Sequence, residues 1–474
     1  MTGRLHPYPA YRDSELPWLG KIPERWSLKR AKYLYREVDD RSTTGDEELL
    51  SVSHLTGVTP RREKNVTMFL AESNVGHKIC YPGDLVINTM WAWMAALGVS
   101  AHKGLVSPSY GVYRPTSDGL ASGYAGRLLR TAIYAAEYTR RSTGVNSSRL
   151  RLYPDEFLRI PILIPPMPDQ LAIERFLKCL ERYFSRYFKA KQRMLRLLLE
   201  KKQATVHQAI TRGLSGSVQL KSSAIDWLGS VPAHWEVGRF KEWIAFQEGP
   251  GIMAEDFRDE GIPLLRISCL AGDVATLNGC NYLDPAMVAK KWDHFAIQPG
   301  DYLLSASGSL GSVCLATEIV AGAIPYTGIL RIWPKARSKV TMDYVRYFMS
   351  SSLFGDQVRF MKAGVGIEHF GPTHLKRMLI LLPPLSEQLD IAAVLDRQTS
   401  ALDAAIEAVR RDVGLMRAYR TRLISDVVTG QLDVREAAAS LPDEPDELSL
   451  ADEILKEAGE ADLEVDELAE EVAE

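Results

Sequence analysis

The sequence predicts an α+β chain made of two pseudo-symmetric β-rich domains, each followed by a long helix, with the two helices packed as an antiparallel coiled coil. Three observations carry this. From Pro383 to Val434 apolar residues recur every seventh position at Leu395, Leu402, Val409, Met416 and Leu423, with Ile406, Val413 and Val427 four residues after three of them. That spacing places a seam along one side of a long helix. A second such stretch runs from Pro165 to about Gly213, and Pro165 to Pro383 and Gln170 to Gln388 share an offset of 218. Finally, WLGKIPERW (Trp18 to Trp26) returns as WLGSVPAHW (Trp227 to Trp235), an offset of 209. The repeating unit is a whole domain with its helix, too long for a solenoid repeat, and reads as a gene duplication.

Five regions follow: 1–164, a β-rich domain; 165–216, its helix; 217–382, the second β-rich domain; 383–436, the second helix; and 437–474, an acidic tail. Each Trp motif reads as a packing anchor where the chain enters a domain. ELLSVSHL (Glu48 to Leu55) and GIPLLRISCL (Gly261 to Leu270) read as strands. CYPGDLVINTMWAWMAALGVS (Cys80 to Ser100) and IQPGDYLLSASGSLGSVCLA (Ile297 to Ala316) read as turn, strand, loop and strand. In their Pro-Gly-Asp turns proline fixes φ and glycine supplies a positive φ. Each domain closes with a Gly-centred loop, RRSTGVNSSRL (Arg140 to Leu150) or MKAGVGIEHF (Met361 to Phe370), and a strand leading to paired prolines. A helix of roughly forty residues is about 60 Å long, so an antiparallel pair would act as a ruler holding the domains apart about an approximate two-fold axis. The register is imperfect: Arg420 falls on the second seam, and the first helix has Lys191 and Thr205 where the second has Val409 and Leu423. Ser386 and Glu387 suit the start of the second helix, as a cap and as a negative charge at its positive end.

A chain of 474 residues buries two or three cores. The net charge of −3 conceals an asymmetry. From Ser440 onward there are fifteen acidic residues and one basic, Lys456, which leaves the body at 56 basic against 45 acidic, a net +11. Such a body suits a polyanion. Cys80, Cys179, Cys269, Cys280 and Cys314 form no CxxC pair, pointing to a reducing compartment. With neither a leader-like N-terminus nor a run of about eighteen apolar residues, the expectation is a soluble, cytoplasmic, prokaryotic protein with no membrane partner.

Catalytic signatures are missing from the sequence. An amino-methyltransferase needs an Asn- or Asp-led Pro-Pro motif, whereas this chain has Ile164-Pro165-Pro166 and Leu382-Pro383-Pro384. FQEGPG (Phe246 to Gly251) reads as a turn, and Gly308-Ser309 lacks the flanks of a nucleophile elbow. No phosphate loop, HExxH or close His/Cys cluster is present, so neither a catalytic nor a metal site is expected.

The duplicated WLG-x-[IV]-P-x-x-W, the segments GIPLLRIS and PGDYLLSASGSLG, and the twice-used PP-[LM]-x-[DE]-Q-L opening a long helix resemble the specificity subunit of type I restriction-modification systems. The likeness covers nearly the whole chain before the tail, which departs from the family pattern. It implies two target recognition domains, each reading one half of a split double-stranded DNA site, and helices that set the spacing and bind two modification (adenine methyltransferase) subunits. Restriction (translocase/nuclease) subunits would join them. The resemblance further implies a non-catalytic chain that binds no cofactor directly, with S-adenosylmethionine, ATP and Mg on the partners. A structural adaptor assembling proteins through its duplicated helices is the competing reading.

Base edges are read by short polar or amide side chains, and phosphates by Arg or Lys. In the first domain this points to Arg61, Arg62 and Lys64, which also read as a solvated loop, and to Asn88, His102 and Lys103 around the strand pair; Trp91 and Trp93 read as core. Thr143, Asn146, Ser147, Ser148 and Arg149 put five hydrogen-bonding residues within seven on a glycine-hinged loop. The second domain offers Ser305, Ser307 and Ser309, and Lys362, Glu368, His369 and His374. Glu368 would accept from a cytosine amine, and His369 also reads as a structural histidine. The two loops differ in residue type on matching scaffolds, as two different half-sites require.

Overall fold

A computed structural model describes residues 5–63, 73–144, 150–225, 227–306, 313–336, 338–363 and 370–441, without the side chains of residues 63, 362 and 363. The chain forms two compact units, residues 1–191 with 412–474, and residues 192–411. Two long helices, Met167–Arg212 and Leu385–Val428, each give one half to either unit. Paired prolines precede both helices, and a glycine at φ +77, Gly213 or Gly430, ends each of them. A left-handed residue just past the last turn is the usual helix stop.

The first unit is built on an antiparallel four-stranded sheet in the order Tyr35–Val38, Gly111–Pro115, Leu85–Ile87, Leu97–Val99. The second repeats it with Ile244–Glu248, Ile329–Pro334, Tyr302–Ser305 and Val313–Leu315. Each unit also pairs the strand after its Trp motif with the strand before its long helix: Ser27–Arg30 with Pro161–Ile164, and Glu236–Arg239 with Leu379–Leu382. Beyond this shared frame the units differ. The first adds the ribbons Leu50–Ser53 with Gly57–Pro60 and Lys78–Cys80 with Gly104–Val106. The second adds a sheet in which Ile262–Leu265 runs parallel to Ile324–Pro325. The strand expected over Gly261 to Leu270 stops at Leu265 and gives way to a short 3₁₀ turn, Ile267–Leu270.

The long helices begin in a buried polar latch present in both units. Gln170 and Gln388 are fully buried. The Gln170 Nε2 donates to the carbonyls of Gly119 and Pro165 at 3.1 and 2.9 Å, and its Oε1 accepts from Ala121 N at 2.7 Å. Gln388 does the same with Lys339 and Pro383, both at 2.9 Å, and with Thr341 N at 2.9 Å. The Trp motifs converge on the neighbouring acid: Trp26 Nε1 donates to Asp169 Oδ2 at 3.3 Å, and Trp235 Nε1 to Glu387 Oε2 at 3.1 Å. Glu387 thus serves the Trp motif and also accepts a 2.7 Å contact from His234 Nε2. Trp26 and Trp235 are buried anchors; of the leading pair, Trp18 packs edge-on against Tyr134, while Trp227 is exposed because no core lies behind it.

Each β-rich core is closed by the end of a long helix from elsewhere in the sequence. Val427, Val428 and Val434 complete the first unit's core, and Val206, Ala209 and Ile210 complete the second's. Where the helices meet in the first unit they run antiparallel: Phe184 faces Tyr419 at 6.3 Å, and Lys191 Nζ meets Asp412 Oδ2 at 2.7 Å. Along the seam Leu395, Val409 and Leu423 are buried and Leu402 and Met416 half-buried, whereas Arg420 turns outward. The polar Lys191 is accommodated because Asp412, which also accepts from Tyr187 OH at 2.5 Å, supplies its counter-charge.

Two helices in each unit escape the mainly-β reading: Ser122–Leu128 and Ala132–Arg141, then Met342–Ser350 and Ser352–Ala363. Tyr124, Tyr134 and Tyr138 favour strands locally, yet all three are buried with their hydroxyls bonded to backbone carbonyls. Packing overrides propensity here. Tyr124 OH reaches Leu163 O and Val428 O, and Tyr344 OH reaches Leu381 O, so these helices brace the latch.

Removing either latch amide strips three backbone groups of their partner, one of them, the Pro165 or Pro383 carbonyl, buried. Gln170→Ala is expected to destabilise the first unit, and Gln388→Ala the second, by about 2–4 kcal/mol, read by denaturant unfolding with hydrogen exchange resolved by unit. A Cβ on Gly430 would meet Pro23 at 2.6 Å and Trp26 at 2.9 Å, against 3.0 Å to a movable Glu387 oxygen for Gly213. Gly430→Ala is therefore expected to lower the melting temperature more than Gly213→Ala.

Candidate nucleic-acid interface

The central hairpin of each unit is pinned at one end by the Pro-Gly-Asp turn. Asp84 Oδ2 accepts from Tyr81 N at 2.9 Å and Asp301 Oδ2 from Gln298 N at 2.7 Å. Both buried carboxylates bind an arginine on the adjacent strand, Arg114 Nε at 3.0 Å and Arg331 Nε at 2.5 Å. The hydrogen bonds that Arg114 donates to Asp84 hold its guanidinium firmly in the charged form. A buried pair that would be costly to break sets the hairpin's register and hence the position of its far end.

At that far end the sequence candidates separate. Asn88 is only 5 % exposed; its Nδ2 donates to Tyr110 OH and its Oδ1 accepts from Met90 N, both at 3.2 Å, so its amide shapes the tip. Ala95, at φ 58, closes the turn, and Trp93 Nε1 donates to Met90 O at 3.1 Å. Trp91 is 49 % exposed and Met90 beside it is exposed as well. The expected core role of Trp91 is therefore corrected: it stands exposed at the hairpin tip, and Trp93 beside it is half-buried.

The residues flanking the Gly-centred loop lie against this tip. Thr143 and Arg151 exchange backbone hydrogen bonds at 3.1 and 2.9 Å, Leu152 N donates to Thr89 O at 2.9 Å, and Arg151 Nε reaches Thr89 Oγ1 at 3.4 Å. Asn146, Ser147, Ser148 and Arg149, bounded by that pairing, lie outside the described residues. The second unit repeats the junction, with Phe370 N donating to Ala306 O at 3.3 Å. There Ser305 is wholly buried in its strand, while Ser307, Ser309, Glu368 and His369, and the side chain of Lys362, lie outside the described residues. His374 accepts from Gly371 N at 3.0 Å through Nδ1 and stacks on Phe370, a local structural use of the ring.

The charge of Arg61 opposes the upward push that burial gives the Tyr110 hydroxyl. Arg62 pairs with Glu48 at 3.0 Å, and Lys64 lies outside the described residues. His102 and Lys103 occupy the opposite turn, with the Lys103 ammonium 5.5 Å from the centre of the Tyr81 ring, about 10 Å of strand away from the tip. Sequence reasoning missed Arg151 and exposed Tyr153, whose ring lies 5.7 Å from the guanidinium. Their cue was a cation and an aromatic directly after the polar loop.

The long helices show exposed apolar side chains as well: Leu171, Tyr183, Leu415 and Tyr419 in the first unit, Met194, Leu197 and Leu389 in the second. Among the described residues there is no group of three metal-ligating side chains, and no helix is long and apolar enough to cross a membrane.

Comparison with known proteins bears on this arrangement. A family model for the type I restriction modification DNA specificity domain matches residues 232–409, within the second unit, and the first unit repeats the frame of that segment strand by strand. The chain is 22 % identical over 283 residues to the type I restriction enzyme MjaVIII specificity subunit of Methanocaldococcus jannaschii, covering 59 % of this chain and 64 % of that one. It is 22 % identical over 364 residues to the EcoKI specificity subunit of Escherichia coli, covering 74 % of this chain and 75 % of the relative. The match thus spans a little under two thirds of the archaeal relative's length. Its fold resembles a chain from a solved type I R-M system, studied for complex assembly and conformational transition, with a TM-score of 0.64 at 14 % identity over 87 % of this chain and 99 % of that one. The second unit thus matches the type I restriction modification DNA specificity domain, the first unit repeats its frame, and the chain is similar to the specificity subunits of type I restriction enzymes.

Proposed function

We propose that the chain reads a split double-stranded DNA site, one half-site per unit, and carries no catalysis of its own. The observation that carries this reading is the junction beside each hairpin: one backbone hydrogen bond, Leu152 to Thr89 or Phe370 to Ala306, recurs on the same frame, and the sequences next to it differ between the units. A constant scaffold with variable edges is what two different half-sites demand. In the first unit Arg151 supplies a cation for phosphate beside the tip, and exposed Trp91 supplies an aromatic face. The exposed apolar residues of the long helices suit docking of modification and restriction subunits. S-adenosylmethionine, ATP and Mg would then be bound by those partners.

A gel-shift on random DNA, with and without the cognate methyltransferase subunits, tests the reading; selective retention of one split sequence is expected, and no selectivity in either condition would sink it. Replacing Asn146 and Arg149 together is expected to relax one half-site only, seen by mapping methylated adenines, whereas equal loss at both would contradict one unit per half-site. Trp91→Ala, at an exposed position, is expected to leave the melting temperature within about 1 °C while weakening the same half-site roughly tenfold.

A further inference from the structure

The first long helix carries Arg175, Lys178, Arg182, Arg186 and Lys189 at successive spacings of three or four residues. On a helix this lines five cations along one face over about 21 Å. Arg175, Lys178 and Arg186 are exposed, while the Lys189 Nζ is shut off from solvent with no hydrogen-bond partner among the described residues. A shielded ammonium without an acceptor is costly, so this end of the stripe is suited to an anion.

The chain delivers one to the stripe's other end. Val434 and Ala438 are buried in the first unit's core, and Leu441, the last described residue, gives its carbonyl to Arg175 Nη2 at 2.5 Å. Residues 442–474 therefore depart from the first cation of the stripe. They hold all fifteen acids of the tail, six of them between Asp443 and Glu453. Thirty-three residues reach the far end of the stripe whether helical, at about 1.5 Å per residue, or extended, at about 3.4 Å. Such a tether supplies an effective concentration in the mM range, which makes individually weak surface ion pairs sufficient together.

We propose that residues 442–474 dock in cis, as an acidic peptide, on the Arg175 to Lys189 stripe of the first long helix and keep phosphate polyanions off it. This follows from the stripe and the point of departure and does not depend on how the units read bases. Carbodiimide treatment of the full chain is expected to link exposed Lys178 to carboxylates between Asp443 and Glu453, and to stop doing so near 1 M salt, where the screening length falls to about 3 Å. In a mixture of isotope-labelled and unlabelled protein those links should stay within one isotope. A full-length D443N/E444Q/D446N/E447Q variant is expected to bind a random-sequence duplex roughly five- to twentyfold more tightly at low salt, and adding R175E/K178E/R182E should cancel the gain. Absence of the links, links that join labelled to unlabelled chains, or an unchanged duplex affinity would overturn the proposal.

Discussion

The structure turns on the position of one indole in each unit. Trp26 sits where the first long helix begins and the second ends: its Nε1 donates to Asp169, and its ring lies where any side chain at Gly430 would have to go. Trp235 occupies the mirror position, donating to Glu387 beside Gly213. An indole that large, fully desolvated and with one donor to satisfy, fixes a helix start and a helix stop at once. At Gly430 the indole and the left-handed φ both require glycine, at Gly213 chiefly the φ, and residues in the 420s and 430s are part of the first unit.

The buried glutamines extend the same constraint into the sheet. Gln170 and Gln388 satisfy carbonyls and amides on the segments leading into the neighbouring helices, so strand, brace and long helix move as one. On this rigid base the Asp84–Arg114 and Asp301–Arg331 pairs hold the hairpins. The edges are then free to diverge: the first unit carries two ribbons there, the second a sheet with a parallel pair. The two units share the interior, where errors cost most, and differ at the rim.

The candidate interface was only partly readable in advance. Composition located the hairpin, because a Pro-Gly-Asp turn between apolar runs signals a reversal of the chain. It misjudged single residues there. Asn88 has the side chain of a base reader, but Tyr110 and Met90 consume its hydrogen bonds; Trp91 has the side chain of a core residue, but stands at a tip. His102 and Lys103 are near the tip in sequence and at the opposite end of a strand in space. Residue type states what a group can do, and its surroundings decide whether it is available.

Periodicity and internal repetition settled the large-scale plan without coordinates: two β-rich parts, two long helices with an apolar seam, and the Trp and Gln motifs that recur at offsets of 209 and 218. These are patterns within one strand, helix or repeat, and they survive in one dimension. Folding alone joined WLG-x-[IV]-P-x-x-W to the acid of PP-[LM]-x-[DE]-Q-L, placed the end of the second helix in the first core, and formed helices from tyrosine-rich segments. Each of these depends on a contact between residues more than a hundred positions apart or on burial that outweighs local preference, and neither leaves a mark in spacing.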